Sequence, residues 1–377
     1  MKLCFLSHEY PKHGLNPGGI GIFLKTLAPE LVRFGNKVTV LGANNSNSYE
    51  EYWDQGVRVI RIPNPKIPVV NWWVLSRRLK KKIIEIAPDI VEGSELSFAF
   101  LSKIPGAKKV IRLHGGHHFF AEAEERKIDA WKGYQEKRSF KNADAFIAIS
   151  DYVRNHTSSM LSFHGKPVVL IRNIVDTNRF YFSPKSSNPN PRSLIFLGTV
   201  CEKKGVGNLV KAIDLVRAAY PEVHLGIYGR DWEFPDGRSY KALIRNQIRG
   251  DLEKHISIHD AIPHDQVPGI YRSAEICIFP SFMETQGLVA PEAMAMGKIV
   301  IFTNKGPGPE TIQHGVNGYL CDPHDVHSIV EAIEEAFESS DRKEELAGAA
   351  RARVLDLFGI EKNLDENIRF YRKILHG

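Results

Sequence analysis

The chain predicts an α/β protein made of two doubly wound, parallel-sheet halves, and three observations lead there. Short apolar, β-branched runs alternate with helix-length amphipathic segments, a polar break interrupts that alternation once, and 377 residues exceed one ordinary domain. The first series of strand-like runs occupies 2–7, 37–42, 57–63, 89–92, 108–114, 145–150 and 167–172. The break, SPKSSNPNPRS at 183–193, has the composition of a linker. The second series occupies 194–198, 224–229, 256–259, 276–280, 299–303 and 318–321, with helical patterns from about His324 to the end. This predicts two Rossmann-like domains, 1–182 and 194–360, with 361–377 as a closing helix. In such sheets ligands bind beyond the carboxyl ends of the strands, so the chemistry is expected in a cleft between facing domains.

Composition narrows the class. With 43% hydrophobic and 25% charged residues, the chain is globular with ample core. Fifty basic against forty-four acidic side chains leave +6, which favours anionic partners but is far too mild to indicate nucleic acid. Cys4, Cys201, Cys277 and Cys321 are scattered, with neither metal-ligand spacing nor a small disulfide framework, so a reducing cytoplasm is expected. The apolar run at 3–6 is too short for a signal peptide, and no stretch approaches the roughly 20 apolar residues of a membrane span.

The most informative stretch is ETQGLVAPE, 284–292. A strand-like run ends in a loop carrying Glu284, and a helix is expected to begin near Gly287 and to end at Gly297. Free amides at Gly287, Leu288 and Val289, with the positive end of the helix dipole, would attract a diphosphate. Glu292, one turn further in, could accept hydrogen bonds from vicinal ribose hydroxyls, while Glu284 held hydroxyls of a sugar. The alternative is a pair of solvated glutamates near a helix start, where acids are favoured in any case.

Four further constellations bear on function. Pro17, Gly18, Gly19 and Gly21 lead into a helix expected near Ile20; the cluster lies about ten residues past its strand, so it is a poor dinucleotide fingerprint and a plain turn competes with a ligand loop. His114 and Gly115 end the strand VIRLHGG, and His117, His118, Phe119 and Phe120 add polar tips and aromatic faces suited to a sugar or a lipid-linked acceptor. Lys203 and Lys204 precede Gly205 at a helix start, where a lysine could neutralise a leaving diphosphate, although a solvated lysine is the usual outcome. Trp72 and Trp73 stand beside Arg77, Arg78, Lys80, Lys81 and Lys82, which suits an anionic membrane surface or simply a solvated helix face.

Together these pieces resemble the family 4 retaining glycosyltransferases of the GT-B fold, the group that includes bacterial polysaccharide and lipid glycosyltransferases. The resemblance covers nearly the whole chain: GGIG at 18–21, HG at 114–115, IRNIVDTNRF at 171–180, KG at 204–205, the glutamate pair, GPGPETI at 306–312 and NGYLCDP at 317–323. It implies transfer of a sugar from a nucleoside diphosphate donor, uridine favoured and guanosine next, to a glycan or lipid-linked acceptor, without a metal or other cofactor. By position it implies that Glu292 binds ribose, that Glu284 and the backbone of Gly287, Leu288 and Val289 hold the donor sugar, and that Lys204 contacts the diphosphate. Gly18 and Gly19 would lie at the phosphates from the opposite domain, and His114 would contact the transferred sugar or leaving group. Retention would proceed by front-face attack, the leaving phosphate helping to deprotonate the acceptor. The closing helix crosses back to the first domain in relatives, and the same is expected at 361–377.

Two departures from the family pattern stand out. Thr199 follows Gly198 where the family usually has an arginine, so either another base such as Arg172, Lys203 or Arg230 supplies that charge or the donor is held more weakly. The family's glycine-rich turn after the next strand reads YGRDWEFPDG, and Ile174 stands where glycine is common. An epimerase or phosphorylase on the same architecture, or a non-catalytic partner subunit, remains an alternative because fold does not fix reaction.

Overall fold

The computed structural model describes residues 1–12, 18–44, 48–64, 71–182 and 190–377. Pro17, most of the expected linker (183–189) and the side chain of Trp72 lie outside the described residues. The chain divides into two compact units, Met1–Ile174 with Glu361–Gly377, and Val175–Ile360. The division falls ahead of the expected linker because Val175 and Phe180, 2% and 1% exposed, already belong to the second core.

In the first unit, β1 (Lys2–Leu6), β2 (Lys37–Ala43), β3 (Glu50–Asp54), β4 (Val57–Ile62), β5 (Ile90–Gly93), β6 (Lys108–Leu113), β7 (Ala145–Ala148) and β8 (Val168–Leu170) form one sheet. Their order among the described residues is β3-β4-β2-β1-β5-β6-β7-β8, parallel throughout except for the β3–β4 hairpin. The parallel centre is covered on both faces, which is why β7 reads as an unbroken apolar run and why β5 and β7 are buried along their whole length. β3 was not predicted. Its residues alternate between half-buried and exposed at the sheet edge, and its EEYWD sequence carries little apolar signal. The turn into β4 uses Gln55 (φ 50°) and Gly56 (φ 82°), the two left-handed residues that match the twist of a tight hairpin.

The second unit carries β9 (Ser193–Leu197), β10 (His224–Tyr228), β11 (Ile256–His259), β12 (Ile276–Phe279), β13 (Ile299–Thr303) and β14 (Tyr319–Cys321). They pair in parallel in the order β11-β10-β9-β12-β13-β14. In both sheets the chain first winds outward on one side, then returns to the centre and winds out on the other. The reversal falls between β1 and β5 in one unit and between β9 and β12 in the other. Loops leaving the carboxyl ends of those central strands part in opposite directions and leave room for a ligand.

The last helix, Ile360–His376, packs in the first unit. Arg112 of β6, 1% exposed, donates to Glu92 Oε1 at 2.7 Å and to Asn367 Oδ1 at 2.5 Å, while Tyr371 donates to Glu92 Oε2 at 2.6 Å. A buried ion pair repays its desolvation only with such additional hydrogen bonds, so the closing helix completes the interior of β5 and β6. All four cysteines are buried and free, and burial pushes the thiols of Cys4, Cys277 and Cys321 up to about 12, which makes them inert. No helix among the described residues is long and apolar enough to cross a membrane.

Candidate active site

The loops leaving β9 and β12, at the reversal point of the second sheet, bring the sequence-predicted lysine and glutamate together. After β9 the chain passes Gly198 and Thr199, makes one tight turn at Glu202–Lys204, and enters the helix Val206–Val216 through Gly205. Gly205 has φ 71°, and a Cβ there would stand 1.9 Å from the carbonyl oxygen of Pro280, so only glycine lets the two loops close. The Phe282 amide donates to the Lys203 carbonyl at 2.9 Å and locks the register. Lys204 Nζ consequently meets Glu284 Oε1 at 2.5 Å, and Ser281 Oγ donates to the same oxygen at 3.0 Å. Glu284 is buried, so the pair is fixed rather than solvated.

The helix after β12 spans Val289–Ala295 and begins two residues later than the sequence suggested. Gly287 takes a left-handed conformation (φ 70°) that no α-helix contains, and a Cβ there would press on the Phe302 ring at 2.6 Å. Leu288 is the N-cap, and Pro291, lacking an N–H, sits in the first turn where that group would have no intrahelical partner. Among the described residues no backbone acceptor meets the amides of Gly287, Leu288 and Val289, which follow Glu284 in the chain.

Glu292 is buried on the inner side of this helix. Its Oε1 faces His264 Nε2 at 3.4 Å and its Oε2 faces the Tyr271 hydroxyl, also at 3.4 Å. Arg179 Nη1 lies 2.6 Å from His264 Nδ1; a guanidinium only donates, so Nδ1 accepts and Nε2 carries the proton toward Glu292. Burial, and then the Glu292 charge, hold the Tyr271 phenol well above its usual range, so it too remains a donor. Bonds of this length leave both carboxylate oxygens with acceptor capacity to spare. His264, Tyr271 and Arg179 were not legible as site residues, because His264 and Tyr271 reach Glu292, and Arg179 reaches His264, only through tertiary contact with no spacing signal.

Thr199 does not stand without a base. Arg230 Nε donates to Thr199 Oγ1 at 3.1 Å, and the two loops are stitched by Gly198 N to Tyr228 O (3.0 Å) and Val200 N to Arg230 O (2.9 Å). Gly229 is required between them, since a Cβ would stand 1.6 Å from the Gly198 carbonyl oxygen. The altered turn that follows is braced: Asp231 accepts from Ser239 Oγ and from the Lys241 amide, and Trp232 packs edge-on against Phe234.

In the first unit, the helix Gly19–Arg33 starts directly after Gly18, and its Phe23 ring contacts His114 at a centroid distance of 5.5 Å. Among the described residues nothing lies within 4 Å of where a Gly19 Cβ would be, whereas Gly18 is crowded by the Glu9 carboxylate. Burial, and then the Arg112 guanidinium, hold the His114 imidazole down at about 3, so it is neutral at any physiological pH. Three of the four aromatic and histidine candidates beyond it are occupied by the fold. His118 is buried and its Nδ1 is tied to Glu136, Phe119 is buried against Tyr152 and His156, and His117 Nε2 accepts the Asp129 amide at 2.9 Å. This corrects the expectation that His118 and Phe119 face an acceptor: in the helix His117–Ala123 they lie on its inner side, whereas His117 and Phe120 keep partial exposure. Two acids escaped the sequence reading. Glu136 accepts the amides of His117 and His118, and Glu95, 4% exposed, leaves Oε1 without a hydrogen-bond partner among the described residues.

The family model described as Glycosyltransferase Family 4 matches residues 17–179, and that described as Glycosyl transferases group 1 matches 178–353. Among curated proteins the chain is similar to a glycogen synthase of Mycobacterium tuberculosis, 24% identical over 95% of this chain and 91% of that protein. It is also similar to spore coat protein SA of Bacillus subtilis, 22% identical over 99% and 100%. Among solved structures, sucrose-phosphate synthase from Thermosynechococcus elongatus superposes with a TM-score of 0.87 at 21% identity, covering 100% of this chain and 99% of that one. Anabaena HepE in complex with UDP and glucose gives 0.78 at 19% identity over 99% and 100%. The chain belongs to the family 4 glycosyltransferases and has the GT-B fold.

Proposed function

We propose that this glycosyltransferase transfers a hexosyl unit, with retention, from a nucleoside diphosphate sugar to a glycan or lipid-linked acceptor, UDP-sugar being the favoured donor and GDP-sugar the next. The observation that carries the reading is the Lys204–Glu284 pair at the reversal point of the second sheet, with Gly287 beside the Glu284 carboxyl. In this reading Glu292 takes the ribose hydroxyls and Glu284 those of the donor sugar. Lys204, Lys203 and Arg230 offset the charge that develops on the departing diphosphate, the largest contribution a protein makes to such a step. His114, being neutral, serves as a hydrogen-bonding contact to a sugar hydroxyl or the leaving group and not as a nucleophile, with Gly18 and Gly19 giving backbone access to phosphate. The acceptor oxygen attacks the anomeric carbon from the face the diphosphate leaves, and a phosphate oxygen receives the acceptor's proton. No metal or other cofactor is needed, since the cations of the loops meet the charge. The four buried, unpaired thiols support a cytoplasmic location.

The test is thermal unfolding of the purified chain with UDP, GDP, ADP and their sugars. Ligand at about 100 times its dissociation constant adds about 2.7 kcal/mol and raises Tm by several degrees. A selective rise with one nucleotide, abolished in Glu292→Ala, supports the reading and names the donor base; no rise with any of them overturns it. Product analysis without acceptor separates an epimerase or phosphorylase, and absence of turnover by the pure chain would favour a non-catalytic subunit.

A further inference from the structure

Two helices of the first unit, Asn71–Ile86 and Ala130–Asn142, present a surface that the reaction does not use. Along the first, Trp73, Arg77, Lys80 and Ile84 recur at helical spacing and line an open cavity of about 960 Å³ together with Phe100. A second cavity of about 660 Å³ shares Trp73 and Phe100 and is completed by Trp131, Tyr134 and Arg138 of the other helix. Trp73, Trp131, Tyr134 and Ile84 are each 45–50% exposed, so four large apolar side chains face outward on one patch.

The charge around them is one-sided. The two helices carry nine lysines and arginines against two acids. Glu136 is buried against His118, and Glu85 pairs with Lys82 at 2.8 Å, so the exposed field is positive. The aromatic faces, moreover, are taken: Trp131 stacks on Phe100 and Tyr134 (centroids 6.0 and 5.8 Å), and Arg77 lies over Trp73 at 4.6 Å. A sugar ring needs a free aromatic face to stack on. Indole and phenol edges ringed by long basic side chains suit the headgroup level of a bilayer instead, where amphipathic rings settle and lysine and arginine stems lie along apolar surface.

We propose that this face docks on an anionic lipid bilayer, Trp73, Trp131, Tyr134 and Ile84 entering the interface while Arg77, Arg78, Lys80, Lys81 and Arg138 meet lipid phosphates. It stands independently of the donor reading, since docking is measured without nucleotide. The full chain is sedimented with phosphatidylcholine vesicles with and without phosphatidylglycerol. The chain should pellet only with the anionic vesicles and less as salt rises. R77Q/R78Q/K80Q/K81Q should bind roughly a thousandfold more weakly, given the typical contribution of each basic residue near such a surface. Lys82→Gln should bind as wild type, because that charge is spent on Glu85. A second readout avoids dependence on the multiple variant: brominated phosphatidylglycerol should quench the tryptophan emission of the wild-type chain, and the quenching should be lost in W73F/W131F. Absence of pelleting with anionic vesicles overturns the proposal and points to an acidic protein on this face; equal binding to neutral vesicles, or an undiminished quadruple variant, also overturns it.

Discussion

Arg230 stands on the loop beside the one where a base was expected, and its contact with Thr199 puts a guanidinium next to that position. Two glycines and a pair of cross-loop backbone bonds hold these loops in register, so a guanidinium launched from either reaches the same region. Arg230→Ala should weaken binding of the preferred nucleoside diphosphate about tenfold, and Thr199→Arg in that background should restore it; calorimetric titration reads both, and unchanged affinity in Arg230→Ala would remove the residue from the site. Glu95 makes a different prediction, on stability. Burial pushes its carboxyl up to about 8 from 4.5, so the folded state binds the extra proton between those values and stability falls as pH rises through that window. His114, held at about 3 from 6.5, acts the opposite way: the unfolded state binds the extra proton, and stability is lost as pH falls below 6.5. The slopes of these two groups oppose one another between 4.5 and 6.5, and above 6.5 Glu95 contributes a limiting slope of about 1.4 kcal/mol per pH unit. Glu95→Gln should flatten that fall in denaturant titrations between pH 6.5 and 8.

Among the elements, those that follow a period were legible and those set by distant partners were not. Every parallel strand was predicted to within two residues at each end, because a strand covered on both faces is predominantly apolar. The edge strand β3 escaped because half its surface faces water, and the start of the Val289 helix was misplaced because a glycine flanked by helical patterning looks permissive whichever way its φ turns. In the site, Lys204, Glu284 and Glu292 were readable from motif and spacing, whereas His264, Tyr271 and Arg179 assemble only through tertiary contact. The Arg112–Glu92 pair was invisible for the same reason. Its dependence on the closing helix predicts that Tyr371→Phe costs about 2 kcal/mol, the usual loss for a buried hydrogen bond to a charged group. A chain ending before Lys362 should lose the first unit's calorimetric transition outright and its activity with it; full activity in that truncation would show that the helix is dispensable.

At the scale of the molecule, the second unit is a continuous segment with its own apolar core, while the first is assembled from two segments separated by it. Both crossings of the chain are adjacent, with the Val175 amide donating to the Phe358 carbonyl at 3.0 Å. The segment Val175–Ile360 expressed alone should therefore unfold cooperatively, and if the donor site is as proposed its Tm should respond to the same nucleotide as the full chain; a fragment that is folded but unresponsive would assign the nucleotide contacts elsewhere.

The nested connectivity also orders events during synthesis. Translation delivers the sequence of the second unit before that of the closing helix, while the first unit waits with Arg112 and Glu92 lacking their last partners. Its completion is thereby tied to arrival of the final helix. A chain lacking the helix Ile360–His376 would leave Arg112 and Glu92 without Asn367 and Tyr371, two buried charges short of the hydrogen bonds that offset their desolvation.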